Sequence, residues 1–241
     1  MNDQQHWKDS AEAWIEFVDR GDLNRDLLLD PVVLELCGDV DGLQVADVGC
    51  GEGRFCRRLA KRGAEVIGID PIEQLIEEAR RRGSESYLSA RAEDLPIRSK
   101  CLDLVVSYLA LLDVEGYQSA IEEMARVLKP GGKAVIANQN AFITTNVSGW
   151  HKGPSGEKLH FPVDNYLEER GVKTQWAGIE IINYHRPLSA YFTCFLNSGF
   201  QLRQFIEPAP SAELVRSDPE RFEDWLRVPF FYVAEWVRGP H

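Results

Sequence analysis

Val45-Ala46-Asp47-Val48-Gly49-Cys50-Gly51-Glu52-Gly53-Arg54-Phe55 decides the reading of this chain. An apolar strand runs into glycines at alternate positions, and a helical pattern follows directly. Glycine lets the backbone turn sharply and leaves room that a Cβ would fill. Asp47 stands at the strand's end, placed to meet a cationic or hydroxyl-bearing group. The next apolar run, Glu65-Val66-Ile67-Gly68-Ile69, closes on a second acid, Asp70.

Working outward, strands are predicted at 44–48, 65–69, 86–89, 102–108 and 133–138, with helices at 54–61, 72–82 and 117–128 between them. Continuous apolar strands separated by amphipathic helices indicate a parallel sheet covered on both faces, so the fold class is α/β, doubly wound. In such sheets the acid ending the second strand takes a ribose. Upstream, Trp7, Ala11, Trp14, Ile15 and Val18 make the stripe of a helix over 4–20, and a second helix is predicted over 25–37, broken at Pro31. Downstream, 139–184 is rich in Trp, His, Gly and Asn with weak periodicity, as expected of a lid or binding insertion. A helix over 187–198, a strand over 200–207, a linker holding Pro208, Pro210 and Pro219, and a strand over 228–237 complete the chain.

The 241 residues fit one α/β domain, divided into an N-terminal helical cap (1–41), a core (42–138), an insertion (139–185) and a C-terminal helix with strands (186–241). The formal net charge of −11 argues against a nucleic-acid partner, which needs a basic footprint. Arg54, Arg57, Arg58, Lys61 and Arg62 form a local basic run that reads as a solvated helix face. No apolar run approaches the roughly 20 residues that cross a bilayer, and the start lacks a signal-peptide layout, so a cytoplasmic protein is expected. Five scattered cysteines fit neither a disulfide framework nor a metal site. Four read as buried small hydrophobes, and Cys50 lies in the glycine loop.

Five motifs in order resemble those of class I S-adenosylmethionine-dependent methyltransferases, the small-molecule type related to ubiquinone and menaquinone methyltransferases. They are Asp47-Val48-Gly49-Cys50-Gly51-Glu52-Gly53, Asp70, Ala92-Glu93-Asp94-Leu95-Pro96, Leu102-Asp103-Leu104-Val105-Val106-Ser107 and Leu128-Lys129-Pro130-Gly131-Gly132. The resemblance implies a Rossmann-like, mostly parallel seven-stranded sheet with an insertion after strand 5, and S-adenosylmethionine as cofactor. It places Asp47, Gly49 and Gly51 beside the methionine part and Asp70 on the ribose. Ile72 lies on the adenine face, Ala92 and Glu93 at the base edge, and Tyr108 along the methionine arm or the acceptor. Trp14 caps the cofactor from the first helix. Arg91 stands where the family often carries an acid.

Methyl transfer needs a nucleophile held about 3 Å from the methyl carbon and in line with the departing sulfur. A histidine suits proton transfer near neutrality. His6 and His241 sit at the chain's ends, which leaves His151, His160 and His185. His185 with its neighbour Tyr184, and His160, are the expected catalytic residues, the alternative being that Tyr184 and His185 hold the insertion onto the sheet. Asn138 and Gln139 follow the fifth strand at the sheet's carboxyl edge and are expected to bind substrate. Trp150 and Trp176 form either an aromatic wall over the acceptor or part of the insertion's own small core. No metal is expected, and the chain is read as a monomer or homodimer acting on a small molecule, without nucleic acid or membrane. Two further readings stay open: a non-methyl displacement, such as cyclisation to methylthioadenosine, and a non-catalytic binding module.

Overall fold

A computed structural model describes residues 3–145 and 148–240, so His241 lies outside the described residues. Among these the elements run α1 (Asp3–Asp19), a π-helical turn (Asn24–Leu29), α2 (Asp30–Cys37), β1 (Gln44–Val48), α3 (Arg54–Ala60), β2 (Glu65–Asp70), α4 (Glu73–Arg82) and β3 (Ser86–Ser89). Then come β4 (Leu102–Tyr108), a 3₁₀ turn (Leu111–Asp113), α5 (Tyr117–Val127) and β5 (Leu128–Gln139). The rest comprises α6 (Ala141–Thr144), β6 (His151–Lys152), β7 (Lys158–His160), β8 (Arg170–Trp176), β9 (Ile179–His185), α7 (Leu188–Asn197), β10 (Phe200–Ile206), α8 (Ala212–Ser217), α9 (Pro219–Arg227) and β11 (Phe231–Arg238).

The seven-stranded sheet has the order β10-β11-β5-β4-β1-β2-β3. Its first five strands in sequence are mutually parallel, while β11 runs antiparallel to β5 and β10 antiparallel to β11. Strand order reverses between β1 and β4, and a crevice opens at the carboxyl ends of strands at such a switch point. One face buries Ile121, Met124 and Phe195 of α5 and α7, with Phe195 stacked on Trp236 of β11 at 4.6 Å. The other buries Val33, Leu59 and Ile76 of α2, α3 and α4. A third cluster joins Ala11 and Trp14 of α1 to Ile72, Leu75, Ile179 and Ile181.

The helix break expected at Pro31 is absent. The π turn runs straight into α2, and Pro31 occupies the first turn, where its missing N–H is not needed. The insertion is more regular than its composition suggests. In β9 buried residues alternate with half-buried ones, and the two-residue turn Ala177-Gly178, both at positive φ, pairs it with β8. The proline-bearing linker holds two short helices, the first capped by Ser211 Oγ accepting from Leu214 N at 3.2 Å, the second starting at Pro219. β5 begins earlier than expected because Leu128 already pairs with Leu102, a register shift absorbing the turn that follows. All five cysteines are free, but Cys101 and Cys194 are only half-buried.

Candidate active site

The glycine loop folds over the end of β2. Gly49 N and Cys50 N both donate to Ile69 O, at 2.7 and 3.0 Å. Gly49 sits at φ +81, and a Cβ there would lie 2.2 Å from Ala110 Cβ. Ala110 is brought so close by Leu109, whose own φ of +54 turns the chain as it leaves β4. Gly51 N donates to Asp70 Oδ2 at 3.0 Å, and Ile72 N to Asp70 Oδ1 at 2.9 Å. Burial pushes the Asp70 carboxyl up to about 6 against these two stabilising bonds.

Asp47, in β1, is 1% exposed. Its Oδ2 accepts the Cys56 thiol at 3.3 Å, whereas Oδ1 has no partner. Ser107, near the end of the adjacent β4, is likewise buried with an unpartnered hydroxyl. Burial pushes Asp47 up to about 7, the Cys56 thiol and Arg25 opposing, Asp70 and Glu52 adding to the rise. Buried polar groups without partners are destabilising by roughly 1–3 kcal/mol each, so their persistence marks a ligand's place.

Above the loop, Trp14 Nε1 donates to Glu52 Oε2 at 3.3 Å. The Arg25 guanidinium lies 4.6 Å from the Trp14 ring and 5.5 Å from that of Tyr108, with Asp22 3.6 Å from its Nε. The Tyr108 hydroxyl donates to Asp30 Oδ1 at 2.8 Å, and Asp30 is in turn held by Arg54 and Arg58. Those two arginines, with Arg57 on Glu52, are therefore tied into the site rather than forming the solvated face expected of them. Trp14, Arg25, Glu52, Arg54 and Tyr108 line one cleft together with Asp47, Asp70 and the glycine loop.

Residues 46–136 match the family described as methyltransferase domain. The structure superposes on that of an S-adenosylmethionine-dependent methyltransferase from Mesorhizobium loti with a TM-score of 0.80 and 27% identity, covering 91% of this chain and 99% of that one. The chain carries a methyltransferase domain over residues 46–136 and has the fold of S-adenosylmethionine-dependent methyltransferases. Two curated relatives are the mitochondrial ubiquinone biosynthesis O-methyltransferase of Rattus norvegicus and the malonyl-[acyl-carrier protein] O-methyltransferase of Enterobacter lignolyticus. The first is 27% identical over 72% of this chain and 58% of its own length. The second is 39% identical over 37% of this chain and 36% of its own. The chain spans less than two thirds of the length of either relative.

The structural neighbour is named for its dependence on S-adenosylmethionine. The donor set fits that molecule: an acid with a free oxygen for an ammonium, a buried hydroxyl, a cation for a carboxylate and a second acid at the end of β2. The expected cofactor residues Asp47, Gly49, Gly51, Asp70, Ile72, Ala92, Glu93, Tyr108 and Trp14 all lie along the cleft. So do Gln4, Trp7, Arg25, Glu52 and Asp113, which sequence reasoning did not place there. Arg25 sits in a helical stretch whose π turn no apolar pattern announces.

The expected catalytic and substrate residues are not brought to the cleft. His185 is wholly buried, its Nε2 facing Tyr166 O at 2.9 Å and its Nδ1 the Thr144 hydroxyl at 2.7 Å. A carbonyl only accepts, so Nε2 carries the hydrogen, and burial holds the ring's basicity below that of ordinary histidine. Tyr184 is half-buried beneath the Arg186 guanidinium, 4.8 Å from its ring centre. His160 is exposed on β7 beside His151, ring centres 4.8 Å apart. Asn138 is buried, donating to the Tyr232 hydroxyl at 3.4 Å and accepting from Gln139 N at 3.0 Å. Trp150 meets Phe161 edge-on at 5.7 Å with Arg227 of α9 over its face, Phe161 in turn meets Phe230, and Trp176 packs against α1.

Among the described residues no group of three or more His, Cys, Asp or Glu could hold a metal, and no helix is long and apolar enough to cross a membrane.

Proposed function

We propose that this protein transfers the methyl group of S-adenosylmethionine to a small-molecule acceptor by in-line displacement inside the cleft. One observation carries the reading. Of three buried side-chain polar atoms left without a partner among the described residues, two, Asp47 Oδ1 and Ser107 Oγ, belong to residues lining the cleft.

When bound, S-adenosylmethionine supplies a methyl group activated by a sulfonium. Asp47 would hold the ammonium of the methionine part, and Arg25, 4.6 Å from the Trp14 ring centre, would meet its carboxylate. Each Asp70 oxygen accepts one backbone N–H and keeps a lone pair for a ribose hydroxyl. Ile72 and Ala92 offer apolar contact to the base, with Glu93 at its edge. Trp7 and Trp14, ring centres 5.5 Å apart, exclude water from above. No covalent bond to the protein is required. Two relatives whose names specify O-methylation support an oxygen acceptor.

Incubation with S-adenosylmethionine and a panel of small phenols, carboxylic acids and amines tests this by mass spectrometry. S-adenosylhomocysteine appearing in step with a methylated product is the expected result. Methylthioadenosine in its place would support the cyclising alternative, and cofactor binding without consumption the binding module.

A further inference from the structure

The cleft is lined by five carboxylates, those of Asp47, Glu52, Asp70, Glu93 and Asp113. Asp47 and Asp70 belong to the cofactor in the reading above. Glu52 is held by Trp14 and Arg57, and Glu93 by Arg91. Of the other titratable groups along the wall, the Tyr108 hydroxyl is committed to Asp30, and burial pushes the Cys50 thiol up to about 11. No histidine lines it. Asp113 remains, at the end of the 3₁₀ turn after β4, where that turn meets α1 and β9.

Its position is fixed from three sides. Asn183 of β9 donates to its Oδ1, and Trp7 of α1 hydrogen-bonds its carboxyl. Arg186 clamps the turn itself, donating from Nη1 to Leu111 O at 3.4 Å and from Nη2 to Val114 O at 2.6 Å and Glu115 O at 2.9 Å. That guanidinium lies 4.2 Å from the Tyr117 ring centre, so the clamp is packed as well as bonded. Asp113 itself keeps part of its surface toward the cleft. Asn183 and Trp7 are neutral donors, whereas Glu52 and Glu93 are each paired with an arginine, so Asp113 is the acid of these three suited to take a proton from whatever lies before it.

We infer that Asp113 is the catalytic base, accepting the proton of a methyl acceptor that reacts through an N–H or O–H group. This rests on the methyl-transfer reading above. In the step, the lone pair of the acceptor nitrogen or oxygen forms the bond to the methyl carbon. The carbon–sulfur bond breaks with its electron pair staying on sulfur. The acceptor's proton passes to the Asp113 carboxylate, and from there to water after product leaves. Burial raises the Asp113 carboxyl to about 8, with Asp70 adding to the rise and Arg25, Asn183 and Trp7 opposing it. Behind the turn lie Arg186 and the tyrosines it packs against, Tyr117, Tyr184 and Tyr191. A base of that strength is matched to proton transfer near neutrality.

The test offers S-adenosylmethionine with three acceptor classes, namely phenols, primary amines and 1,3-dicarbonyl carbon acids, to the wild type, Asp113→Asn and Asp113→Glu. S-adenosylmethionine affinity is measured in parallel by calorimetry. The expected product is methylated at oxygen or nitrogen. Asp113→Asn lowers kcat by on the order of 10²–10⁴, keeps cofactor affinity within about threefold and loses the acid limb of the pH–rate profile, which in the wild type lies at or below about 8. Asp113→Glu recovers part of the rate and the limb. Exclusive carbon methylation, or a wild-type rate and pH profile in Asp113→Asn, overturns the proposal while leaving methyl transfer standing. Consumption of S-adenosylmethionine with none of the classes, despite binding, overturns both.

Discussion

Asp70 Oδ2 accepts the Gly51 N–H at 3.0 Å, so the carboxylate that ends the second strand holds the glycine loop that leaves the first. The same side chain pins Ile72 N at the start of the next helix. Asp70→Ala removes both anchors and the charged partner proposed for the ribose hydroxyls. Charge-assisted bonds contribute roughly 1.5–3 kcal/mol each. S-adenosylmethionine affinity should fall by on the order of 100-fold or more in isothermal titration, with Asp70→Asn intermediate.

Asp47 sets a pH dependence. Its carboxyl moves from 3.8 to about 7 on folding without ligand, so the native state keeps a proton that the unfolded chain has released. Stability from this group is full below about 4 and is lost as pH climbs through 7. An ammonium partner needs the ionised form, so binding S-adenosylmethionine below pH 7 releases a proton. Affinity should weaken as pH falls from about 7, approaching tenfold per unit for one proton. Asp70, at about 6, adds a second slope lower down. Asp47→Asn should lose the upper slope, measured by titration in buffers of differing ionisation enthalpy.

His185 is expected to act on stability rather than turnover. His185→Ala leaves a cavity and takes the side-chain partner from Tyr166 O, while Thr144 Oγ1 keeps its bond to Ala141 O, destabilising by about 2–4 kcal/mol. In a chain this size Tm should fall by several degrees, while S-adenosylmethionine affinity stays within about threefold. The folded ring binds protons less readily than the unfolded one, so its contribution is present above 6.5 and lost as pH falls below it. The variant's Tm should be correspondingly less sensitive to acid.

Gly49→Ala tests the loop's shape. A methyl group there would sit 2.2 Å from Ala110 Cβ on a backbone at φ +81, and neither residue can turn away without moving the loop. A positive-φ side chain alone is unfavourable by about 1–3 kcal/mol. Thermal unfolding should shift downward, and the stabilisation normally seen on adding S-adenosylmethionine should shrink to near zero.

Much of the proposed cofactor side of the cleft is legible in the sequence because those residues stand within a few positions of a strand end. Asp47, Gly49, Asp70 and Tyr108 follow from where apolar runs stop. The opposite wall depends on pairings that no local pattern contains. Ser10 Oγ meets Glu180 N and O at 3.0 Å across 170 residues, seating β9 on α1 and bringing Asn183 to Asp113. Charged residues near neutrality suggest His160 and His185 as bases. Their surroundings decide otherwise: one is exposed on a hairpin, the other is committed at both nitrogens. The alternation in Ile179-Glu180-Ile181-Ile182-Asn183-Tyr184-His185 is a usable strand signal, obscured by polar residues at buried positions. Arg25 reaches the cleft through a π turn, which shifts side chains off the ordinary helical register.

The most direct measurement is a calorimetric titration of S-adenosylmethionine into the wild-type protein and Asp47→Asn at pH 7.5, with reaction products followed by mass spectrometry in the same samples. The expected result is saturable wild-type binding that weakens sharply in the variant, and S-adenosylhomocysteine formed only when an acceptor is present. Equal affinity in the two proteins, or no binding to either folded protein, would contradict the assignment of the cleft.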